Sequence, residues 1–210
     1  MTSPGESSAA TLAAHPGAQR APFAGLELFQ VKRFVPADLC AQLIALIDAD
    51  RQPSTIADPN GDAYFRTSET CHLDPAHPAV IDLESRLFAL GRIDPAYGEP
   101  VQGQRYDVGQ EFKPHTDFFD PTGADWDKYC AVAGQRTWTF MIYLNAVTAG
   151  GGTRFVELKK IVHPETGKLL AWNNRLPDGA PNPGTLHQGM KVRKGVKYVI
   201  TKWYRERPWV

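Results

Sequence analysis

From Pro100 to the C-terminus the chain is written in short β-rich runs with no helical pattern interleaved between them. Val101–Val108, Thr137–Asn145, Thr153–Leu158, Leu169–Trp172 and Lys197–Tyr204 are rich in branched and aromatic residues and are separated by Gly, Pro and Asn, the punctuation expected between strands. Parallel strands need a crossover between them, usually a helix, so a βαβ sheet is disfavoured and antiparallel pairing is expected. No internal repeat is visible, which argues against a solenoid or propeller. The C-terminal half is therefore expected to form a β sandwich or barrel of jelly-roll type.

Before Pro100 the periodicity changes. Leu39, Leu43, Ile44, Leu46 and Ile47 recur at helical spacing from Pro36 to about Asp50, with Pro36 acceptable in a first turn. A second stripe, Val80, Leu83, Leu87, Phe88 and Leu90, predicts a helix over Ala79–Leu90. The two helices are expected to buttress the sheet. Residues 1–22 are rich in Ala, Ser, Gly and Pro, lack the basic start and apolar core of a signal peptide, and read as a flexible tail. The expected organisation is a tail over 1–22 and one domain over 23–210, with helical support over about 36–93 and the β core over about 100–207. The fold class is mainly β with N-terminal helices.

The 210 residues suffice for one domain with a sizeable core. Lys+Arg and Asp+Glu each number 23, and no basic run points to nucleic acid or an anionic membrane. No apolar stretch approaches the roughly 20 residues needed to cross a bilayer. Cys40, Cys71 and Cys130 are odd in number and widely spaced, unlike a disulfide framework or a zinc ribbon, so a reducing, cytoplasmic setting is expected.

One short pattern carries chemistry. His115 and Asp117 form an H-x-D pair, and on extended chain residues i and i+2 point the same way, offering an imidazole and a carboxylate to one metal. A further histidine, His187, completes two histidines and one carboxylate, the set that leaves coordination positions open in Fe(II) oxygenases. Asp117–Thr137 is an unusually long connection carrying Phe118, Phe119, Trp126 and Tyr129, and long loops in compact domains are often functional. Ten residues after His187 comes Lys197, which by alternation shares a face with Val199, Thr201 and Trp203. A cation in apolar company needs a counter-charge.

These residues resemble the prolyl 4-hydroxylase family of 2-oxoglutarate- and Fe(II)-dependent dioxygenases. The resemblance runs through RTSE at 66–69, YDVGQEFKPHTD at 106–117, GQRTWTFMIYLN at 134–145 and GGGTRF at 150–155. It continues through PETGKLLAWNN at 164–174, DGAPNPGTLH at 178–187 and KGVKYVITKWYRERPW at 194–209. It implies a double-stranded β-helix, Fe(II) held by His115, Asp117 and His187, and Lys197 holding the far carboxylate of 2-oxoglutarate. Lysine at that place looks like the collagen-type and plant-type enzymes. Tyr106 and Tyr143 match tyrosines near the co-substrate, and Trp203 matches a tryptophan facing the pocket. Arg136 and Arg66 match motif arginines near the peptide groove, and Phe118 and Trp126 would help close over the substrate. Two departures stand out: GGGTRF lacks the acidic residue common after the glycines, and Val156 stands where proline is frequent.

The implied reaction consumes O2 and 2-oxoglutarate, releases succinate and CO2, and hydroxylates a prolyl residue in a peptide or protein, with ascorbate a candidate reductant. The expected partner is that peptide or protein, with the enzyme a monomer or homodimer. Two alternatives remain: a small-molecule oxygenase acting on a free amino acid or natural-product intermediate, and a non-catalytic metal- or ligand-binding module. The complete ligand set with Lys197 argues for an enzyme.

Overall fold

Alternation along the C-terminal strands sorts their side chains onto two faces, and each face acquires its own core. The computed structural model describes residues 4–23, 25–54, 64–123 and 126–209. Its strands are β1 Ala18–Arg20, β2 Leu28–Val31, β3 Gln52–Pro53, β4 Glu69–His72, β5 Gln102–Tyr106, β6 Phe112–His115, β7 Arg136–Tyr143, β8 Ala149–Gly150, β9 Thr153–Phe155, β10 Lys160–Val162, β11 Leu169–Asn173, β12 His187–Gly189, β13 Val192–Lys194 and β14 Lys197–Arg205. Its helices are α1 Pro4–Ala14, α2 Ala37–Ala49, α3 Pro78–Gly91 and α4 Trp126–Cys130. A major sheet runs β1-β2-β11-β7-β14-β5-β4-β3, a minor sheet runs β10-β9-β12-β6, and β13 pairs with β8. The pairings among these described strands are antiparallel.

On β7, Trp138, Phe140 and Ile142 point one way and join the core formed with Leu43, Ile47, Leu83 and Leu87 of the helices. Met141 and Tyr143 point the other way, toward Leu170, Trp172 and Val199 of the major sheet and Phe155 of the minor sheet. The first core glues α2 and α3 to the sheet; the second lies between the sheets. Pro78 opens α3 at a first-turn position, and the His77 ring accepts the Ala79 N–H, relieving one orphan donor of the first turn. Gly103 on β5 lets α2 lie close: a Cβ there would sit 2.3 Å from Ile47.

Two expectations need correction. Residues 1–22 are not simply a tail: Pro4–Ala14 is helical, Leu12 is buried in the helix-side core, and Ala18–Arg20 pairs with β2 at the sheet edge. Leu12 is the one large apolar residue of α1, so no stripe announced the helix. The long Asp117–Thr137 connection contains a short helix, α4.

Candidate active site

The sheets bring the chemistry together. β12 lies between β9 and β6, and its register sets His187 directly opposite His115. Their ring centroids are 4.3 Å apart. β6 ends at His115, so Asp117 sits in the following bend rather than on the strand. Its carboxylate still converges, with Oδ1 3.9 Å from His115 Nε2 and Oδ2 4.0 Å from His187 Nε2. Among the described residues this is the one cluster of His, Cys, Asp or Glu able to hold a metal, its three ligand atoms lying within 4.8 Å of one another.

The surroundings prepare these groups for a cation. His115 Nδ1 lies 2.8 Å from Lys113 O, and His187 Nδ1 lies 2.9 Å from Thr185 O. A carbonyl can only accept, so each Nδ1 carries the proton and each Nε2 lone pair faces the cluster, the tautomer that metal-bound histidines use. Burial, then the neighbouring His187, pushes the His115 pKa down to about 3. For Asp117 burial works upward, but His187, His115, Arg136 and the Thr139 hydroxyl pull harder and leave it below the ordinary carboxylate range. The Thr139 hydroxyl donates to Asp117 Oδ2 at 2.7 Å and accepts from Asn174 Nδ2 at 2.9 Å. The result is two imidazoles that turn Nε2 toward the cluster and a carboxylate oriented by Thr139.

Beside the cluster a cavity opens between the sheets. The minor sheet contributes Phe112, the two histidines, Thr153 and Gly189; the major sheet contributes Gln104, Tyr106, Met141, Trp172 and alternate residues of β14. Lys197, Val199, Thr201 and Trp203 all line it, as period-2 alternation requires. Lys197 is 2% exposed and has no acidic partner among the described residues. Its Nζ lies 4.8 Å from the Tyr106 ring centroid and 5.6 Å from that of Tyr143. Burial pushes its pKa down to about 7. A buried ammonium facing a cavity with only aromatic faces for company is a receptor for an anion.

Other predicted residues are placed differently. Tyr106 lines the cavity, but the Tyr143 hydroxyl donates to Thr153 Oγ1 at 2.6 Å and lies 3.1 Å from Val162 O, so Thr153 rather than Tyr143 borders the space. Arg136 is not an open substrate contact: it grips both carboxylate oxygens of Glu99, at 2.6 and 2.8 Å, and reaches the Asp117 carbonyl at 3.3 Å. Arg66 donates to Ser68 and Thr70 and lies over the Phe112 ring, 5.0 Å from its centroid. Phe118 and Trp126 are half-buried and do not border the cavity. Alternation from Tyr143 would have found Met141 and Thr139. Gln104 and Trp172 follow equally from the parity of Tyr106 and Leu170.

The 2OG-Fe(II) oxygenase superfamily pattern matches residues 101–205, half of the chain. Prolyl 4-hydroxylase subunit alpha-1 of Gallus gallus is 33% identical over 146 residues, 69% of this chain and 28% of that one. The chain belongs to the prolyl 4-hydroxylase family. It spans little more than a quarter of that subunit, but 67% of the probable prolyl 4-hydroxylase 8 of Arabidopsis thaliana, with 29% identity over 202 residues, 84% of this chain. The viral collagen prolyl hydroxylase of Paramecium Bursaria Chlorella virus-1, solved as a 2OG complex, superposes with a TM-score of 0.67 and 26% identity, covering 87% of this chain and 96% of that one. The shared architecture is the double-stranded β-helix, and the donor set of His115, Asp117 and His187 fits Fe(II), with Lys197 fitting a carboxylate of 2-oxoglutarate.

Proposed function

We propose that this protein is a 2-oxoglutarate- and Fe(II)-dependent dioxygenase that hydroxylates prolyl residues of a peptide or protein. The observation that carries this reading is the pairing, in one cavity, of the converging His115, Asp117 and His187 with the buried Lys197, which has no acidic partner among the described residues. His115 and His187 offer Nε2 lone pairs held in place by backbone carbonyls, and Asp117 offers a carboxylate aimed by Thr139. Lys197, across the cavity on the major sheet, holds the distal carboxylate of the co-substrate and neutralises it. Bound Fe(II) and 2-oxoglutarate supply the oxidative chemistry, in which dioxygen yields succinate, CO2 and one hydroxyl on the substrate carbon. The protein's part is to orient and to exclude water: Phe112, Met141, Trp172 and Val199 surround the polar groups with apolar walls. No side chain is required to remove a proton from the carbon.

Ascorbate as a reductant for the iron and a cytoplasmic setting complete the proposal, the latter supported by three buried, unpaired cysteines. No helix among the described residues is long and apolar enough to cross a membrane. The test is succinate formation by the full chain with Fe(II), 2-oxoglutarate and O2, with and without proline-rich peptides, reading peptide mass in parallel. Peptide-dependent succinate with one oxygen atom added to the peptide is the expected result. Succinate indifferent to every peptide would overturn the peptide assignment and favour a small substrate; its complete absence would overturn the enzyme assignment.

A further inference from the structure

Glu99 follows the short turn Pro95–Tyr97 and carries no sequence signal, yet it stands at the junction of the metal centre and α4. It is 7% exposed. Its carboxylate accepts from Arg136 Nε and Nη2 at 2.6 and 2.8 Å and from Arg205 Nη1 at 2.9 Å, while its own N–H donates to Trp203 O at 2.9 Å. Burial alone would raise its pKa; the two guanidinium groups outweigh that and hold it below the ordinary range. It is an ionised hub between two cations.

Two arms leave the hub. Arg136 Nη1 reaches the carbonyl of the metal ligand Asp117 at 3.3 Å, and its guanidinium lies 4.0 Å from the Trp203 ring centroid and 4.8 Å from that of Phe119. Arg205 donates to the carbonyl of Tyr129 in α4 and lies 5.1 Å from the same Phe119 ring. Phe119 is stacked on Tyr129 at 5.1 Å with an interplanar angle of 7°. A column therefore runs from the cavity wall at Trp203, through Arg136 and Phe119, to Tyr129. Asp117 and Phe119, two residues apart, both contact the Arg136 guanidinium, which Glu99 grips through two hydrogen bonds, while the Gln135 side chain holds the Phe119 backbone.

We propose that Glu99 is a positioning residue that couples metal binding at Asp117 to the docking of α4 on the β core. A bound metal restrains Asp117, Arg136 keeps its hold on the Asp117 carbonyl and on Phe119, and Phe119 keeps Tyr129 stacked. Docked α4 in turn restrains Asp117. Such a coupling is reciprocal: whatever metal does for α4, α4 does for metal affinity.

The experiment is amide hydrogen exchange of the full chain, metal-free and with Co(II) alone, together with a Co(II) binding isotherm; no co-substrate or peptide is present, so the outcome is independent of what the enzyme hydroxylates. In the wild type, Co(II) is expected to slow exchange over residues 126–133 by roughly fivefold or more. Glu99→Gln keeps the shape but leaves two guanidinium groups facing a neutral amide. It is expected to weaken Co(II) binding by about tenfold, the scale of an outer-shell loss at a metal site, and to abolish metal-dependent protection of α4. Arg205→Lys keeps a cation beside Glu99 and loses the Tyr129 carbonyl, so the protection is expected to vanish while Co(II) affinity falls less than in Glu99→Gln. A merely structural Glu99 would lower thermal stability and leave the metal-dependent difference intact, which would overturn the proposal. So would wild-type α4 exchange indifferent to Co(II), a comparison that needs no variant to fold.

Discussion

Replacing Lys197 with methionine should make the ligand-free protein more stable and the co-substrate complex weaker, opposite signs from one substitution. Lys197 is 2% exposed with no acidic partner among the described residues, and burial lowers its pKa from 10.5 to about 7. The folded state therefore binds fewer protons than the unfolded state between about pH 7 and 10.5. The penalty for burying the ammonium is present in full below about pH 7 and fades as pH rises toward 10.5. At 1.36 kcal/mol for each decade of proton affinity that penalty is about 5 kcal/mol well below pH 7, about 4 kcal/mol at pH 7 and about 3 kcal/mol at pH 8. Methionine keeps most of the side-chain volume and removes the charge, so metal-free, ligand-free Lys197→Met should gain stability of that order at pH 7 and much less at pH 10. Denaturant unfolding at the two pH values measures the gain. The same change leaves a 2-oxoglutarate carboxylate unpaired, at a cost of about 3 kcal/mol or roughly a hundredfold in affinity. Calorimetry at pH 8 should also show the wild type taking up close to one proton on binding 2-oxoglutarate, because the bound anion restores the ammonium. A Lys197→Met protein no more stable than wild type at pH 7, with unchanged 2-oxoglutarate affinity, would refute the assignment of Lys197 as the buried anion receptor.

Thr139→Val removes the hydroxyl that donates to Asp117 Oδ2 at 2.7 Å; Co(II) affinity should fall by about tenfold and recover in Thr139→Ser, and equal affinities in both variants would remove Thr139 from the metal site. Leu12 is fully buried in the helix-side core, so Leu12→Ala should cost about 2–4 kcal/mol in denaturant unfolding; no loss would return α1 to the status of a tail. Burial lowers the His115 pKa from 6.5 to about 3, so the folded metal-free protein binds fewer protons across that range and loses stability as pH falls through it. The loss from pH 7 to pH 5 should be about 2 kcal/mol, and smaller in His115→Gln. An identical acid slope in the two proteins would show that His115 is not the buried neutral group.

What the sequence made legible was whatever repeats with a period. β7 and β14 were readable because a buried strand next to apolar neighbours keeps its alternation, and the same parity placed Lys197, Val199, Thr201 and Trp203 on one cavity wall. The H-x-D spacing was readable for a related reason, although Asp117 reaches the cluster from a bend and not from the strand. What has no period stayed hidden. α1 offers Leu12 alone as an anchor, and Phe118 and Phe119 are indistinguishable in sequence although, among the described residues, it is Phe119 that stacks on Tyr129 and faces the guanidinium groups. The sequence alone places Arg136 at a groove because its counter-charge, Glu99, lies 37 positions away. Ion pairs between distant segments leave no local trace, and a buried arginine looks like an exposed one until its partner is known.

The division of labour between the sheets explains why the site sits where it does. His115 and His187 belong to β6 and β12 of the minor sheet, whereas Lys197 belongs to β14 near the middle of the major sheet. Each sheet alone presents an incomplete site: ligands for a cation on one side, a receptor for an anion on the other. The Lys197 ammonium carries a desolvation cost, visible in its lowered pKa, that a bound anion offsets, whereas burial keeps His115 neutral, the form that can ligate a metal. A molecule bearing a metal-binding end and a distal carboxylate answers both at once and ties the sheets together across the inter-sheet core of Met141, Trp172 and Val199. Metal and co-substrate should therefore stabilise the fold more together than the sum of their separate effects, because a co-substrate held both by a metal on His115, Asp117 and His187 and by Lys197 would bind more weakly with either alone.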